Sequence, residues 1–409
     1  MLKLVTFDMP TLDRIALSQD SLRELVGRLN VEDQNKILEK YNEIILFLRK
    51  ELKAQPGQTV APDHHQMEKL SELTHELHTL FPDALIVAAG GNGFNKLHHM
   101  IELLEPEAHL VGYVGSDENG TILIKCAEKS GFKTDHIAIK SSSSKASSIF
   151  LLSADESLDK SPDKVCVRDT RFKFEQNFYN SIFVDPAIID LIKSAHFIDF
   201  SHRAINISDE MMENLLRIIG EQTIVSYTPP AQQSDLSQST IKFLQRVDLL
   251  TLNFEEAQNL FGGEWLGFDK CPPDYIARIR QQYITKPNQL IVVTDGANGV
   301  FIVGQDHARK YDIPRLNGRI ENTVGAGDSF AGIFMALYIK QLEDKKPIDD
   351  AFLEGAVEKA ARVAAAVVQQ PAAQLEKDLI RAAINNNIPT RGIVSNAPEN
   401  QNAQQSLSL

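Results

Sequence analysis

The 409-residue chain is predicted to adopt an α/β layered fold with a mostly parallel central sheet, because strand-like and helix-like patterns alternate along it. From about Ala195 the alternation is regular. Ala195–Phe200, Thr223–Tyr227 and Val247–Leu252 read as strands, with a helical pattern over Asp209–Ile219 between the first two. Two continuous apolar runs, Leu85–Ala89 and Leu290–Val293, read as buried strands. Hydrophobic residues make up 43% of the chain and charged residues 24%, a globular composition.

Charge and cysteine usage narrow the function classes. A net charge of −13 argues against a nucleic-acid partner, whose binding domains carry basic patches. No apolar run is long enough to span a bilayer, and Met1–Phe7 is too short and soon too polar for a signal peptide. Cys126, Cys166 and Cys271 lie far apart without metal spacing, which points to a reducing compartment, the cytoplasm.

Taken in order, Leu2–Phe7 is a short strand ending at Asp8-Met9-Pro10, with Asp13 just beyond as a turn or cap residue. Residues 18–80 are helical in pattern, with Ile37, Tyr41, Ile44 and Leu48 at helical spacing and a breaker loop over 55–62. Leu85–Ala89 runs into Gly90-Gly91-Asn92-Gly93-Phe94-Asn95 and a helix. That turn lacks the third glycine of a dinucleotide fingerprint, and no P-loop occurs. Leu110–Val114 is a further strand, Ser147–Leu152 a lid or edge strand, and 159–179 is charged and irregular. Asn253-Phe254-Glu255-Glu256 reads as a helix start with a capping box. Leu290–Thr294 ends in a turn at Gly296, Val300–Val303 pairs back onto it, and an alanine-rich helix covers Ala351–Val368. His64-His65 and His98-His99 have no partners at zinc spacing.

The stretch that carries chemistry is Asn322-Thr323-Val324-Gly325-Ala326-Gly327-Asp328, followed at once by an apolar helical run. A tight turn opening a helix leaves backbone N–H groups unpaired at the positive end of the dipole, and glycine lets an anion approach them. Asp328 would repel a phosphate there unless its task is to take a proton from an attacking hydroxyl. The structural alternative is an N-cap aspartate.

Asn322–Asp328 resembles the C-terminal signature of the ribokinase-like (PfkB) carbohydrate and nucleoside kinases, and Gly90–Asn95 resembles their first signature. The resemblance covers most of residues 1–385. It implies a ribokinase-like three-layer fold with a small lid, a kinase domain over 1–388 and a disordered Asn-, Gln- and Ser-rich tail over 389–409. Within the domain, 18–80 is a helical insertion and 139–179 a lid region. The resemblance further implies Asp328 as base and Gly325, Ala326 and Gly327 as anion hole. Asp13, Gly90, Gly91 and Asn95 are then expected to hold the acceptor. Asn253, Glu256, Thr294, Gly296, Asn322 and Thr323 would line the nucleotide side, with Glu256 in the second shell of the metal.

The implied cofactors are ATP and Mg²⁺, and the implied acceptor is a sugar or a nucleoside. Adenosine kinases carry aromatic residues after the strand corresponding to Ala195–Phe200. Here Ser201-His202-Arg203 is polar, which leaves the acceptor open. Arg168 or Arg171 is the candidate lid arginine, and a homodimer through the lid is the assembly the resemblance allows. Gln369–Ala373 departs from the glycine usual on the adenine side. A catalytically silent binding or regulatory protein that kept the fold is the alternative.

Overall fold

The computed structural model describes residues 1–385 other than 57, 153–162, 173, 176, 206, 231–235, 263–271, 315–319 and 371. The tail over 389–409 and Cys271 lie outside the described residues.

Strand Lys3–Phe7 lies inside a ten-stranded sheet. It pairs parallel with Glu107–Gly115 on one side and with Phe197–Ser201 on the other. From Phe197–Ser201 the sheet continues in parallel through Ile224–Thr228, Leu249–Asn253 and Leu290–Thr294. It closes with Val300–Val303 and Ala308–Tyr311, both antiparallel to their neighbours. Strand order therefore reverses at Lys3–Phe7, and the crevice beyond the carboxyl end of such a strand is where open α/β sheets bind ligands.

The apolar runs are explained by burial on both faces. Leu4, Phe197, Leu249 and Leu290 join one core, while their neighbours Val5, Ile198, Leu250 and Ile291 join another. The first core packs against helices Asn92–Leu104, Ala326–Glu343 and Asp350–Val368. The second packs against Pro186–Ser194, Asp209–Ile218, Gln238–Arg246 and Pro273–Tyr283. The result is three layers with a mixed, mostly parallel sheet in the middle, as the sequence predicts.

A second sheet forms the lid, in the order Thr59–Val60, Asp163–Arg168, Ala146–Leu152, Thr11–Ala16, Leu85–Gly90. Three expectations change here. Asp13 is not in a turn: it sits inside strand Thr11–Ala16, opposite Ala88. Leu85–Gly90 belongs to this sheet and not to the central one, and its Val87 is 47% exposed. Part of the irregular 159–179 stretch forms strand Asp163–Arg168 and helix Phe178–Ile182.

One face of the lid has its own core. Helices Gln19–Val26, Val31–Lys50 and His64–Leu80 bring Leu22, Ile37, Tyr41, Ile44, Leu48, Leu70 and Leu77 against Phe150, Leu152, Val165 and Val167. These helices start where the sequence supplies caps: Ser18, Asn30, and Asp63 with a full capping box to Gln66. The insertion is also tied to the main layers. Ser18 Oγ donates to Glu321 Oε2 at 3.0 Å and Ser21 Oγ donates to the same oxygen, one residue before Asn322.

Candidate active site

Helix Ala326–Glu343 begins at Gly325, whose φ of 80° is the left-handed conformation that glycine adopts without strain. No side chain caps this end, so the N–H groups of its first turn face outward. Asp328 lies at the third helical position and is not the N-cap, which removes the capping alternative. A Cβ on Gly327 would meet nothing within 4 Å, so there is open space for an anion above the turn. The floor is fixed by Asn322, which is buried and whose Oδ1 accepts from Val324 N at 2.9 Å.

Facing it is the second glycine turn. Gly91 has φ 113° and caps helix Asn92–Leu104. Asn92 Nδ2 donates to Asp328 Oδ1 at 2.6 Å, and Asn95 Nδ2 donates to Asp328 Oδ2 at 3.1 Å. Each carboxylate oxygen is thereby held by one amide. Desolvation is the largest influence on Asp328 and raises its pKa, with Asn95 and Lys96 opposing it.

Asp13 reaches the site from the lid. A Cβ on Gly90 would lie 2.1 Å from its Oδ2, so only glycine leaves room for this carboxylate. Ser147 Oγ donates to its Oδ1 at 2.5 Å. Burial nevertheless pushes the Asp13 carboxyl up to about 6, with the nearby Asp328 adding to the rise.

On the other flank, Asn253 and Glu256 form a reciprocal capping box at the start of helix Phe254–Phe261, both bonds at 2.8 Å. Burial pushes Glu256 up to about 7, Asp328 adds to the rise, and Lys96 opposes it. Thr294 lies opposite Asn253 in the sheet register, and Gly296 follows with φ 48° and open space around it. Glu321 and Asn322 donate their backbone N–H groups to Val368 O, which fixes the end of helix Asp350–Val368 beside the loop. Thr323 is half-buried in that loop.

The structure thus groups Asp328, Asn95, Gly90, Gly91 and Asp13 at the junction of lid and sheet, with Glu256 within electrostatic reach. Thr294 and Gly296 sit at neighbouring strand ends. Arg168 is exposed on the lid, and Arg171 grips Asp169 through two nitrogens, so Arg171 is committed within the lid. His98 and His99 are packed edge to face in helix Asn92–Leu104, and burial lowers His99 to about 3.

Four residues of this neighbourhood escape a reading of the sequence. Asp8, at the carboxyl end of Lys3–Phe7, accepts from Phe94 N at 3.0 Å and Ser201 Oγ at 2.7 Å. Asn92 lies inside the glycine turn and holds Asp328. Lys96 is fully buried and donates to Asp199 Oδ1 at 2.7 Å and Thr228 Oγ1 at 3.1 Å. Gln374 donates to Ala89 O at 2.7 Å and Asn95 Oδ1 at 3.0 Å. A signal existed for Lys96: Asp199 interrupts the apolar Phe-Ile-Asp-Phe strand, and a buried acid there requires a cation or donors.

Solved structures with this architecture define the class, a ribokinase-like α/β protein. The adenosine kinase of Schistosoma mansoni bound to tubercidin superposes with a TM-score of 0.65 at 15% identity, covering 92% of this chain and 98% of that one. The ribokinase of Giardia lamblia gives 0.60 at 17% identity, covering 94% and 99%. The chain belongs to the pfkB family of carbohydrate kinases, whose family model matches residues 82–378, more than half its length. Among its relatives, an uncharacterized sugar kinase of Archaeoglobus fulgidus is 24% identical over 246 residues, covering 57% of this chain and 84% of that protein. An adenosine kinase of Schizophyllum commune is 22% identical over 340 residues, covering 77% and 88%.

Proposed function

We propose that the chain transfers the γ-phosphoryl group of ATP to a hydroxyl of a sugar or nucleoside, with Asp328 as general base. The observation that carries this reading is the pair of glycine turns meeting at one carboxylate, with open space over Gly327. Membership of a kinase family supports ATP as donor.

ATP, when bound, supplies an activated phosphoryl group and a good leaving group. The N–H groups of Gly325, Ala326 and Gly327 would receive the charge on the phosphates. Thr294, Gly296, Asn322, Thr323 and Asn253 would line the nucleotide. Among the described residues no group of three His, Cys, Asp or Glu side chains is placed to hold a metal. Glu256 would face the phosphates as an acceptor for water held by Mg²⁺, which would supply neutralisation of the phosphate charge. Asp13, the Gly90–Gly91 backbone and Asn95 would position the acceptor so that its hydroxyl displaces an amide from Asp328. The base would then take the proton as the new O–P bond forms and the bond from Pγ to the β–γ bridging oxygen breaks, with ADP as the leaving group.

Residues 1–388 would act as one kinase domain working in the cytoplasm. The three inserted helices already cover one apolar face of the lid, so a homodimer through the lid would have to use another surface. Neither acceptor class is favoured by a specific contact. The test is to incubate the purified chain with Mg²⁺-ATP and a panel of sugars and nucleosides. Phosphorylation of one member is expected. A chain that binds ATP but phosphorylates none of them supports the silent binding protein instead.

A further inference from the structure

We infer that Gln374 is a positioning residue that sets the orientation of the catalytic carboxylate through Asn95. This rests on the reading of Asp328 as base.

Ala89 O is a backbone carbonyl and can only accept, so the Gln374 atom 2.7 Å from it is the amide nitrogen. The same nitrogen stands 3.0 Å from the Asn95 amide, and it meets an acceptor there only if that atom is Oδ1. The other Asn95 atom is then Nδ2, and it faces Asp328 Oδ2 at 3.1 Å as a donor. One carbonyl of the lid strand thus dictates three successive orientations and ends at the base. Without Gln374 the Asn95 amide could rotate and turn a lone pair toward a carboxylate.

The surroundings support a built device. Asn95 is buried, 2% exposed. Ala373, next to Gln374, packs on the anion turn: a Cβ on Gly325 would lie 2.5 Å from the Ala373 Cβ. Leu375 O accepts from His98 Nε2 at 2.9 Å. The segment after helix Asp350–Val368, where the sequence departs from its family, therefore bridges the two glycine turns. Asn92 holds the other oxygen of Asp328, so the carboxylate is gripped from both sides and only one grip is set by Gln374.

The test uses Gln374→Met, which keeps length and removes the donor, and Gln374→Glu, which keeps shape and replaces the donor by an acceptor. In the full chain without ligands, the ¹³C shift of the Asp328 carboxyl should titrate at higher pH in both variants. The charged groups acting on Asp328, namely Asp13, Lys96, Lys164 and Glu256, are unchanged in Gln374→Met, whereas Gln374→Glu adds a carboxylate of its own, so the uncharged variant carries the titration test. With Mg²⁺-ATP and the panel member turned over fastest, kcat should fall at least about tenfold while KM for ATP stays within about twofold. Should Gln374→Met fail to fold, Gln374→Leu, which also removes the donor without adding charge, is read in its place. Wild-type titration and kcat in a variant that melts normally overturn the inference. Asp328→Asn separates the two readings. If it is inactive while the Gln374 variants are normal, only the relay falls; if it stays active, the base reading falls.

Discussion

Asn95 donates to Asp328 across 3.1 Å although 233 residues separate them along the chain. The contact joins the two glycine turns, and it puts an amide donor on the oxygen that a general base must free for its substrate. On the proposed reading of Asp328 as base, the acceptor hydroxyl has to displace that amide.

Changing Asp328→Asn should lower turnover at least about a hundredfold, the usual loss for a general base. Calorimetry with Mg²⁺-ATP should show binding retained, because the N–H groups of the turn are unchanged. The new amide would set its nitrogen against Asn92 Nδ2 or Asn95 Nδ2 and lose one acceptor, so thermal stability should fall by about 1–3 kcal/mol. Near-normal turnover would make the residue structural.

Gly325 and Gly327 should respond to alanine in opposite ways. At Gly325 the positive φ and the Ala373 Cβ 2.5 Å from the new atom predict a stability loss of about 1–3 kcal/mol. At Gly327 the new methyl meets nothing in the protein, so the melting temperature should hold while ATP affinity drops. Melts and calorimetry on both variants check the contrast.

Asp13 predicts a pH effect on the free protein. Its folded pKa is raised from 3.8 to about 6, so between these values the native state keeps a proton that the unfolded chain has released. Its contribution is least unfavourable below about pH 4, worsens as pH rises to about 6, and is constant above. Asp13→Asn should therefore leave stability unchanged near pH 4 and raise it at pH 7, by up to about 3 kcal/mol for two pKa units. The KM for the acceptor should rise at the same time. Denaturant titrations at the two pH values read the first effect and steady-state kinetics the second.

The inserted helices should behave as part of the lid. Leu48 is fully buried in the core they share with Phe150 and Val165. Leu48→Ala should cost about 2–5 kcal/mol. Deleting 31–80 would uncover that face and should give an insoluble or partly folded chain. A soluble deletion variant with wild-type melting and activity would show the insertion to be dispensable.

What the sequence discloses is what is local. Asn322–Asp328 and Gly90–Asn95 are legible because glycine, turn and helix follow one another within a few residues. The central strands are legible because both faces are buried, which makes continuous apolar runs. Thr11–Ala16 is not, since Asp13 and Arg14 interrupt it and its strand character comes from pairing with 85–90 and 146–149. Leu85–Gly90 misleads for the converse reason: an apolar run looks buried even when Val87 faces outward. Gln374 carries no local mark at all. Its role arises from a contact 279 residues away.

Gly332 lies where the two site helices touch, with a Cβ there 2.5 Å from Lys96 O. Each helix carries one glycine turn, so this near-contact fuses both turns into one rigid block with the sheet below. Asp13 and Ser147 stand on a different block, the lid. On the proposed reading, the base, the anion turn and Asn95 stand on this block, and Asp13 completes the acceptor side from the lid. Substitutions in strands 11–16 and 146–152 would act on the Asp13 side of the site alone, whereas a side chain at Gly332 would pry both turns apart at once.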